Sequence, residues 1–185
     1  EFLSVVHSVP LVVANGIGVR EQEKGYWWSR KRTQSRLPRI RNLVFPRLSS
    51  DEVSWIEYQF EKYLSLSFDF ESTVIHSDFT DDHILIDPEK GFVSGVIDFA
   101  DIEIADPALD FGGLWYYADT PSFAEKVLHN YSGNVDKDFL ERSKLPRLVH
   151  MVVNMLEIEE GGDIPETFDS CREKLTRAIS SGVTL

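Results

Sequence analysis

Eight aspartates fall between Val74 and Phe111, in the stretch VIHSDFTDDHILIDPEKGFVSGVIDFADIEIADPALDF. Ordinary turn chemistry accounts for only a few. Asp87 opens the turn Asp87-Pro88-Glu89-Lys90-Gly91, and Asp101 and Glu103 are expected to face water. Asp78 and Asp98 stand where an apolar strand pattern hands over to a loop, and a carboxylate drawn inside there is costly unless paired, hydrogen-bonded or metal-bound. His83 opens one strand of a hairpin about Pro88–Gly91 and Asp98 closes its partner, so antiparallel pairing brings the two together. Asp78 lies on the loop entering the hairpin, and the three can share one cleft. Carboxylates and a neutral imidazole nitrogen can hold a divalent ion, and magnesium favours carboxylate, water and phosphate oxygens. A second carboxylate nearby can orient a hydroxyl and take its proton. These are parts that phosphoryl transfer uses. The same spacing also fits a helical domain whose acidic turns are solvated surface. His76 ends a buried strand, where a bond to nearby backbone would fix the Asp78 loop. His7, His129 and His150 have no ligand-like spacing and read as packing or surface residues.

The elements that must position these residues follow from pattern. A helix end is expected over 2–7, with Phe2, Leu3 and Val6 on one side and Pro10 beyond it. Ala14 to Gly18 reads as a loop on its Asn15-Gly16 turn signal. Gln22 to Ile40 is weakly helical and polar, and Pro38 is expected to break it. A helix then starts at Ser50, or at Ser49 with Glu52 completing a capping box. Its apolar positions Val53, Ile56, Phe60, Tyr63 and Leu64 repeat at helical spacing, and it ends before Ser67. Strands are predicted at 73–76, 84–87 and 92–97. Helices are predicted from Pro107 or Ala108 to Tyr117 and from Ser122 to Tyr131. One or two more lie between Asp136 and Glu159, interrupted near Pro146 and stopped by Gly161-Gly162. A last helix runs from Glu166 to Ser180, with Phe168, Leu175 and Ile179 inward. The expected architecture is α+β: a mostly helical body with one small hairpin near its middle.

The chain has 185 residues, enough to bury a core without cross-links. Cys171 is the only cysteine, which excludes an intramolecular disulfide and a four-cysteine zinc site. The redox expectation is a cytoplasmic protein. No apolar run approaches the ~20 residues of a membrane helix. The net charge of -12 argues against nucleic acid as a partner for the whole molecule. Charge is uneven: residues 1–50 carry nine Lys/Arg against three Asp/Glu, and residues 51–185 ten against 28. The basic stretch Lys24 to Arg47 reads as a charged helix face lying against an acidic body. The chain opens at Glu1-Phe2-Leu3 without methionine, which fits a start inside a longer protein.

At the acidic stretch the sequence resembles the aminoglycoside phosphotransferase family, within the protein-kinase-like fold. The resemblance rests on three ordered motifs: His76-Ser77-Asp78-Phe79-Thr80-Asp81-Asp82-His83, Val96-Ile97-Asp98-Phe99-Ala100-Asp101, and Asp106-Pro107-Ala108-Leu109-Asp110-Phe111. It implies that Asp78 is the catalytic aspartate that orients the acceptor hydroxyl. It implies that Asp98 binds the magnesium ions bridging the phosphates of an ATP or GTP donor. His83 stands where most members carry asparagine, as in the branch acting on the 2''-hydroxyl of aminoglycosides, and would serve the same metal and nucleotide. His76, Asp106 and Asp110 would support the loop and the following helix. Ala100 departs from the family's usual glycine, which is tolerable where φ is negative.

The likeness covers the whole chain, residues 1–185, as a C-terminal catalytic and substrate-binding lobe. The family's N-terminal nucleotide-binding lobe has no counterpart in it: Gly16-Ile17-Gly18 lacks the strand and lysine of a phosphate loop. An acidic lining suits a polycationic small-molecule acceptor, with Asp81, Asp119, Glu157, Glu159 and Glu160 as candidates. Solvated helix-end acids account for Glu157–Glu160 equally well. The function implied is magnesium-dependent transfer of a γ-phosphoryl group to a hydroxyl of an aminoglycoside-like molecule, with full activity requiring the other lobe. Two alternatives stay open: a kinase for another small hydroxyl compound such as an amino alcohol or sugar, and a non-catalytic lobe acting as a binding or structural module. The face left by the other lobe is expected to favour self-association.

Overall fold

The computed structural model describes residues 1–21, 30–117 and 121–180. In chain order they form α1 (Phe2–His7), α2 (Leu11–Gly16), β1 (Arg20–Glu21), α3 (Arg30–Leu43), α4 (Ser50–Ser65), β2 (Thr73–Ile75), β3 (Ile84–Ile86), β4 (Val93–Val96), β5 (Glu103–Ala105), α5 (Leu109–Tyr117), α6 (Pro121–His129), α7 (Phe139–Glu159) and α8 (Phe168–Ser180). Short 3₁₀ turns lie at Phe45–Arg47 and Asp81–His83. The result is the α+β architecture of a kinase-like C-lobe. Its described residues divide into two compact units, one from 1–26 and 69–143, the other from 27–68 and 144–185.

The first unit carries the strands. β5 lies between β1, parallel to it, and β2, antiparallel, with Val74 opposite Ile104. β3 and β4 form the separate hairpin, with Ile84 opposite Val96 and a register irregularity at Leu85/Ile86. The turn has the expected chemistry: the Asp87 carboxylate accepts from the backbone N–H groups of Glu89 and Lys90, and Gly91 takes φ +67°. Leu3, Phe79, Ala108, Phe111, Leu114, Trp115, Ala124 and Phe139 pack as its main core.

The second unit is helical. Ser49 caps α4: its hydroxyl accepts from the Glu52 N–H at 3.3 Å, and the Glu52 carboxylate accepts from the Ser49 N–H at 2.7 Å. That reciprocal pair satisfies two of the donors a helix start leaves open. Ile40, Val44, Ile56, Phe60, Val152, Met155, Cys171 and Leu175 are wholly or almost wholly buried in its core.

Several expectations need correction. Ala14–Gly18 is not a loop throughout, because α2 starts after Pro10 and runs to Gly16, burying Ala14. The loop is confined to residues 17–19. Pro38 does not end α3, which continues to Leu43. A proline costs one ladder bond and some crowding, and here Ile40 beyond it is fully buried and Val44, just past the helix end, joins it in the same core. The part of the Gln22–Ile40 reading before Arg30 lies outside the described residues. α7 is one helix from Phe139, so Pro146 is not its start. β1 and β5 had no counterpart in the pattern. Glu103, expected to face water, is buried at the start of β5.

Candidate active site

The β3–β4 hairpin brings His83 and Asp98 together as its register requires. The Ile97 N–H donates to the His83 carbonyl at 3.0 Å. His83 Nε2 then stands 3.7 Å from Asp98 Oδ2, and His83 Nδ1 stands 3.6 Å from Asp78 Oδ2. One imidazole therefore sits between the two carboxylates that spacing had singled out. Asp78 and Asp98 expose 50% and 56% of their side chains and His83 exposes 18%, so the carboxylates open to solvent while the ring is held behind them.

The ring's orientation is fixed. His83 Nδ1–H donates to the Asp78 carbonyl at 2.8 Å, which leaves the Nε2 lone pair toward Asp98. That bond, with the carboxylates of Asp78, Asp98 and Asp82 around the ring, raises the His83 pKa above its ordinary value. Among the described residues no three His, Cys, Asp or Glu side chains gather closely enough to hold a metal alone. A pair of donors 3.7 Å apart is nonetheless narrow enough for both to reach one ion at the ~2.1 Å magnesium takes. Magnesium commonly fills its remaining positions with water and phosphate oxygens, so the donor set fits that ion in the presence of a nucleotide.

The backbone around the site is held in unusual conformations. Ser77 (φ +72°) and Asp98 (φ +63°) are the non-glycine residues with positive φ among those described. Such geometry costs on the order of 1–3 kcal/mol per residue and persists only where the surroundings impose it. For Ser77 the surroundings are two buried carboxylates. Asp110 Oδ1 accepts from the Ser77 N–H and Asp110 Oδ2 from the His76 N–H, both at 2.8 Å. The Ser77 hydroxyl donates to Glu103 Oε1 at 2.9 Å. His76 Nε2–H donates to the Ile97 carbonyl at 3.0 Å, tying the Asp78 loop to the strand that delivers Asp98. The His76 ring packs against Phe99, centroids 4.7 Å apart, and Phe2 stacks on Phe79 at 5.6 Å. Ala100 is outside the positive-φ set, so its side chain meets no backbone conflict.

Asp106 supports the next segment. Its carboxylate accepts from the Ala108 N–H at 3.0 Å and from Arg142 Nε at 2.6 Å. Arg142, fully buried, also donates to Asp136 at 2.6 Å. These two partners outweigh the cost of burial and raise the Arg142 pKa.

The remaining acids are placed less tellingly. Asp81 is exposed at the start of the 3₁₀ turn before β3. Asp119 lies outside the described residues. Glu157, Glu159 and Glu160 lie at the end of α7 in the second unit, where Arg47 pairs with Glu159 and Arg39 with Glu160. Arg41 pairs with Glu57 at 2.7 Å, so these three arginines of the basic stretch lie on acidic partners, while its part before Arg30 lies outside the described residues.

Sequence pattern missed four contributors. Glu103 and Arg142 carried no motif. His7 was read as packing or surface, yet it is buried against Asp110. Gly113 has no spacing signal at all: a Cβ there would stand 2.1 Å from the Phe79 carbonyl oxygen.

Comparison with known proteins places the fold. No curated protein matches the chain. Among solved structures, the GDP complex of wild-type aminoglycoside 2'-phosphotransferase-IIIa superposes with a TM-score of 0.81 at 21% identity, over 98% of this chain and 60% of that one. The GDP and kanamycin complex of APH(2")-IIIa gives 0.80 at 22%, over 99% and 61%. The macrolide 2'-phosphotransferase MphH from Brachybacterium faecium gives 0.64 at 16%, over 95% and 57%. At these identities the likeness is one of fold, and the chain spans about three fifths of those proteins' length. The family model described as APH, phosphotransferase enzyme family, matches residues 1–142, which include Asp78, His83, Asp98, Asp106 and Asp110. With that model matching more than half of its length, the chain belongs to the APH phosphotransferase enzyme family.

Proposed function

We propose that this chain is the C-terminal lobe of a magnesium-dependent enzyme that transfers the γ-phosphoryl group of ATP or GTP to a hydroxyl of a small, cationic, aminoglycoside-like molecule. The observation that carries the reading is the single imidazole of His83 set between the carboxylates of Asp78 and Asp98. Asp78 accepts the hydrogen bond of the acceptor hydroxyl and aims its oxygen at the γ-phosphorus. The new O–P bond forms as the bond from phosphorus to the bridging oxygen breaks, the nucleoside diphosphate leaves, and the hydroxyl proton passes to the Asp78 carboxylate. Asp98 Oδ2 and His83 Nε2 are the residues that would hold magnesium, which neutralises charge on the transferring phosphates. His76, Asp106 and Asp110 keep the two loops in register.

The fold likeness to proteins named for GDP, kanamycin and macrolide 2'-phosphotransfer supports a nucleotide donor and a small acceptor. The chain's acidic balance supports a cationic acceptor. No helix among the described residues is long and apolar enough to cross a membrane. The test is a phosphotransfer panel on the protein at its full natural length, with ATP and GTP against aminoglycosides, macrolides, amino alcohols and sugars. Transfer to aminoglycosides, lost in Asp78→Asn, is the expected result. Transfer to amino alcohols, sugars or macrolides alone would overturn the acceptor class. No transfer to any acceptor would favour a non-catalytic lobe.

A further inference from the structure

The hydrogen bonds that fix the Asp78 loop continue inward through residues no motif marks. Asp110 Oδ2, which holds the His76 N–H, also accepts from His7 Nε2–H at 2.9 Å. His7 Nδ1 in turn accepts from the Tyr131 hydroxyl at 2.6 Å. Both ring nitrogens therefore have a hydrogen-bond partner, Asp110 at Nε2 and Tyr131 at Nδ1. The His7 and Asp110 side chains expose 1% and 0% of their surface, so neither finds a substitute partner in water. Burial beside Asp110 and Asp106 pushes the Tyr131 phenol up to about 12, so it stays a donor at neutral pH. Its ring is packed edge-on against Phe111 and rests against Phe139, with centroids 5.2 and 6.0 Å away.

Gly133 completes the arrangement. A Cβ there would stand 2.1 Å from the Tyr131 hydroxyl oxygen. The glycine leaves the space in which that hydroxyl reaches His7.

We infer that Tyr131, His7 and Asp110 form a relay of positioning residues, buried at His7 and Asp110, that holds the His76–Ser77 backbone, and hence the Asp78 carboxylate, in its working geometry. The inference rests on the proposed phosphotransfer for its kinetic consequence but not for its structural one. Asp110 receives three hydrogen bonds, two from the loop and one from His7. Without His7 the carboxylate can rotate toward other donors, and Ser77 loses part of what imposes its positive φ.

The test uses four variants. His7→Leu removes the relay. His7→Gln keeps an N–H donor for Asp110. Tyr131→Phe deletes the outer donor, and Gly133→Ala displaces the Tyr131 hydroxyl without replacing any of the relay's own residues. The first readout is amide hydrogen exchange at His76 and Ser77, referenced to the amides of Ile56 and Met155. In Tyr131→Phe and Gly133→Ala the two loop amides are expected to exchange about 10-fold faster while the reference amides hold. In His7→Gln they are expected to stay within about 3-fold of the unmodified chain. The second readout is steady-state kinetics of the protein at its full natural length: kcat falls about 10-fold in His7→Leu and Tyr131→Phe at unchanged KM for nucleotide, and His7→Gln recovers it. Unchanged exchange at His76 and Ser77 in both Tyr131→Phe and Gly133→Ala would overturn the relay, even if His7→Leu fails to fold. An unmodified protein that transfers no phosphate would overturn the proposed function and leave the exchange result to decide the relay.

Discussion

Asp78 and Asp98 look alike in sequence, and their neighbours suit them to the two different roles proposed above. Asp78 is approached from below by its own loop: the Thr80 N–H and His83 Nδ1–H both bind its carbonyl, at 3.1 and 2.8 Å, leaving its carboxylate to the solvent side. Asp98 is strained at φ +63° and faces the free nitrogen of His83. Asp78→Asn keeps the shape and removes the proton acceptor. It should lower kcat about 10²- to 10⁴-fold while the melting temperature stays within a few degrees; steady-state kinetics and calorimetry check the pair of outcomes. Asp98→Asn should instead raise the magnesium concentration for half-maximal turnover about 10-fold, read from activity against free magnesium at saturating nucleotide. The residues of this trio were legible because hairpin register converts sequence distance into spatial distance. Of their support, His76, Asp106 and Asp110 were legible through their motifs, whereas Glu103 and His7 act through partners 26 and 103 positions away, and no local pattern encodes a partner so remote.

Elements explain how these side chains stay in place. α5 approaches the Asp78 loop so closely that Gly113 has no room for a methyl group. Gly113→Ala would push against the Phe79 backbone rather than a movable side chain. It should cost at least about 2 kcal/mol, measured by urea unfolding, and depress kcat in whatever fraction folds. α4 offers a separate test. Arg172, at 2.8 Å, and the Ser49 cap hold the Glu52 pKa down at about 2, from an ordinary 4.5. A depressed carboxylate stabilises the fold fully above pH 4.5 and loses that contribution as pH falls through about 2. Arg172 is partly exposed, so solvent screening keeps the contribution modest. Glu52→Gln should flatten the acid limb of the stability curve between those values, seen in urea midpoints across that range. Capping chemistry of this kind was readable from Ser49 and Glu52 because it is local. The continuity of α3 through Pro38 was not, because core burial of Ile40 and Val44 decides it.

At the scale of the molecule, the β3–β4 hairpin presents an apolar surface to water. Leu85 and Ile86 on one strand and Phe92 and Val93 beside them are each about half exposed. Ile86 stands opposite Val93 in the register, and exposed apolar side chains gathered on one hairpin favour association. The isolated chain should therefore associate with rising concentration in sedimentation velocity, and Ile86→Lys with Phe92→Ser should return it to monomer. The central claim is that Asp98 and His83 share one ion beside Asp78. Manganese, as a paramagnetic substitute for magnesium, tests it in the presence of a non-hydrolysable ATP or GTP analogue. Proton NMR of the histidine rings should show His83 broadening at the lowest manganese additions while His129 and His150 stay sharp, with the selectivity lost in Asp98→Asn. Uniform broadening of all three rings, or none at His83 with nucleotide present, would contradict it.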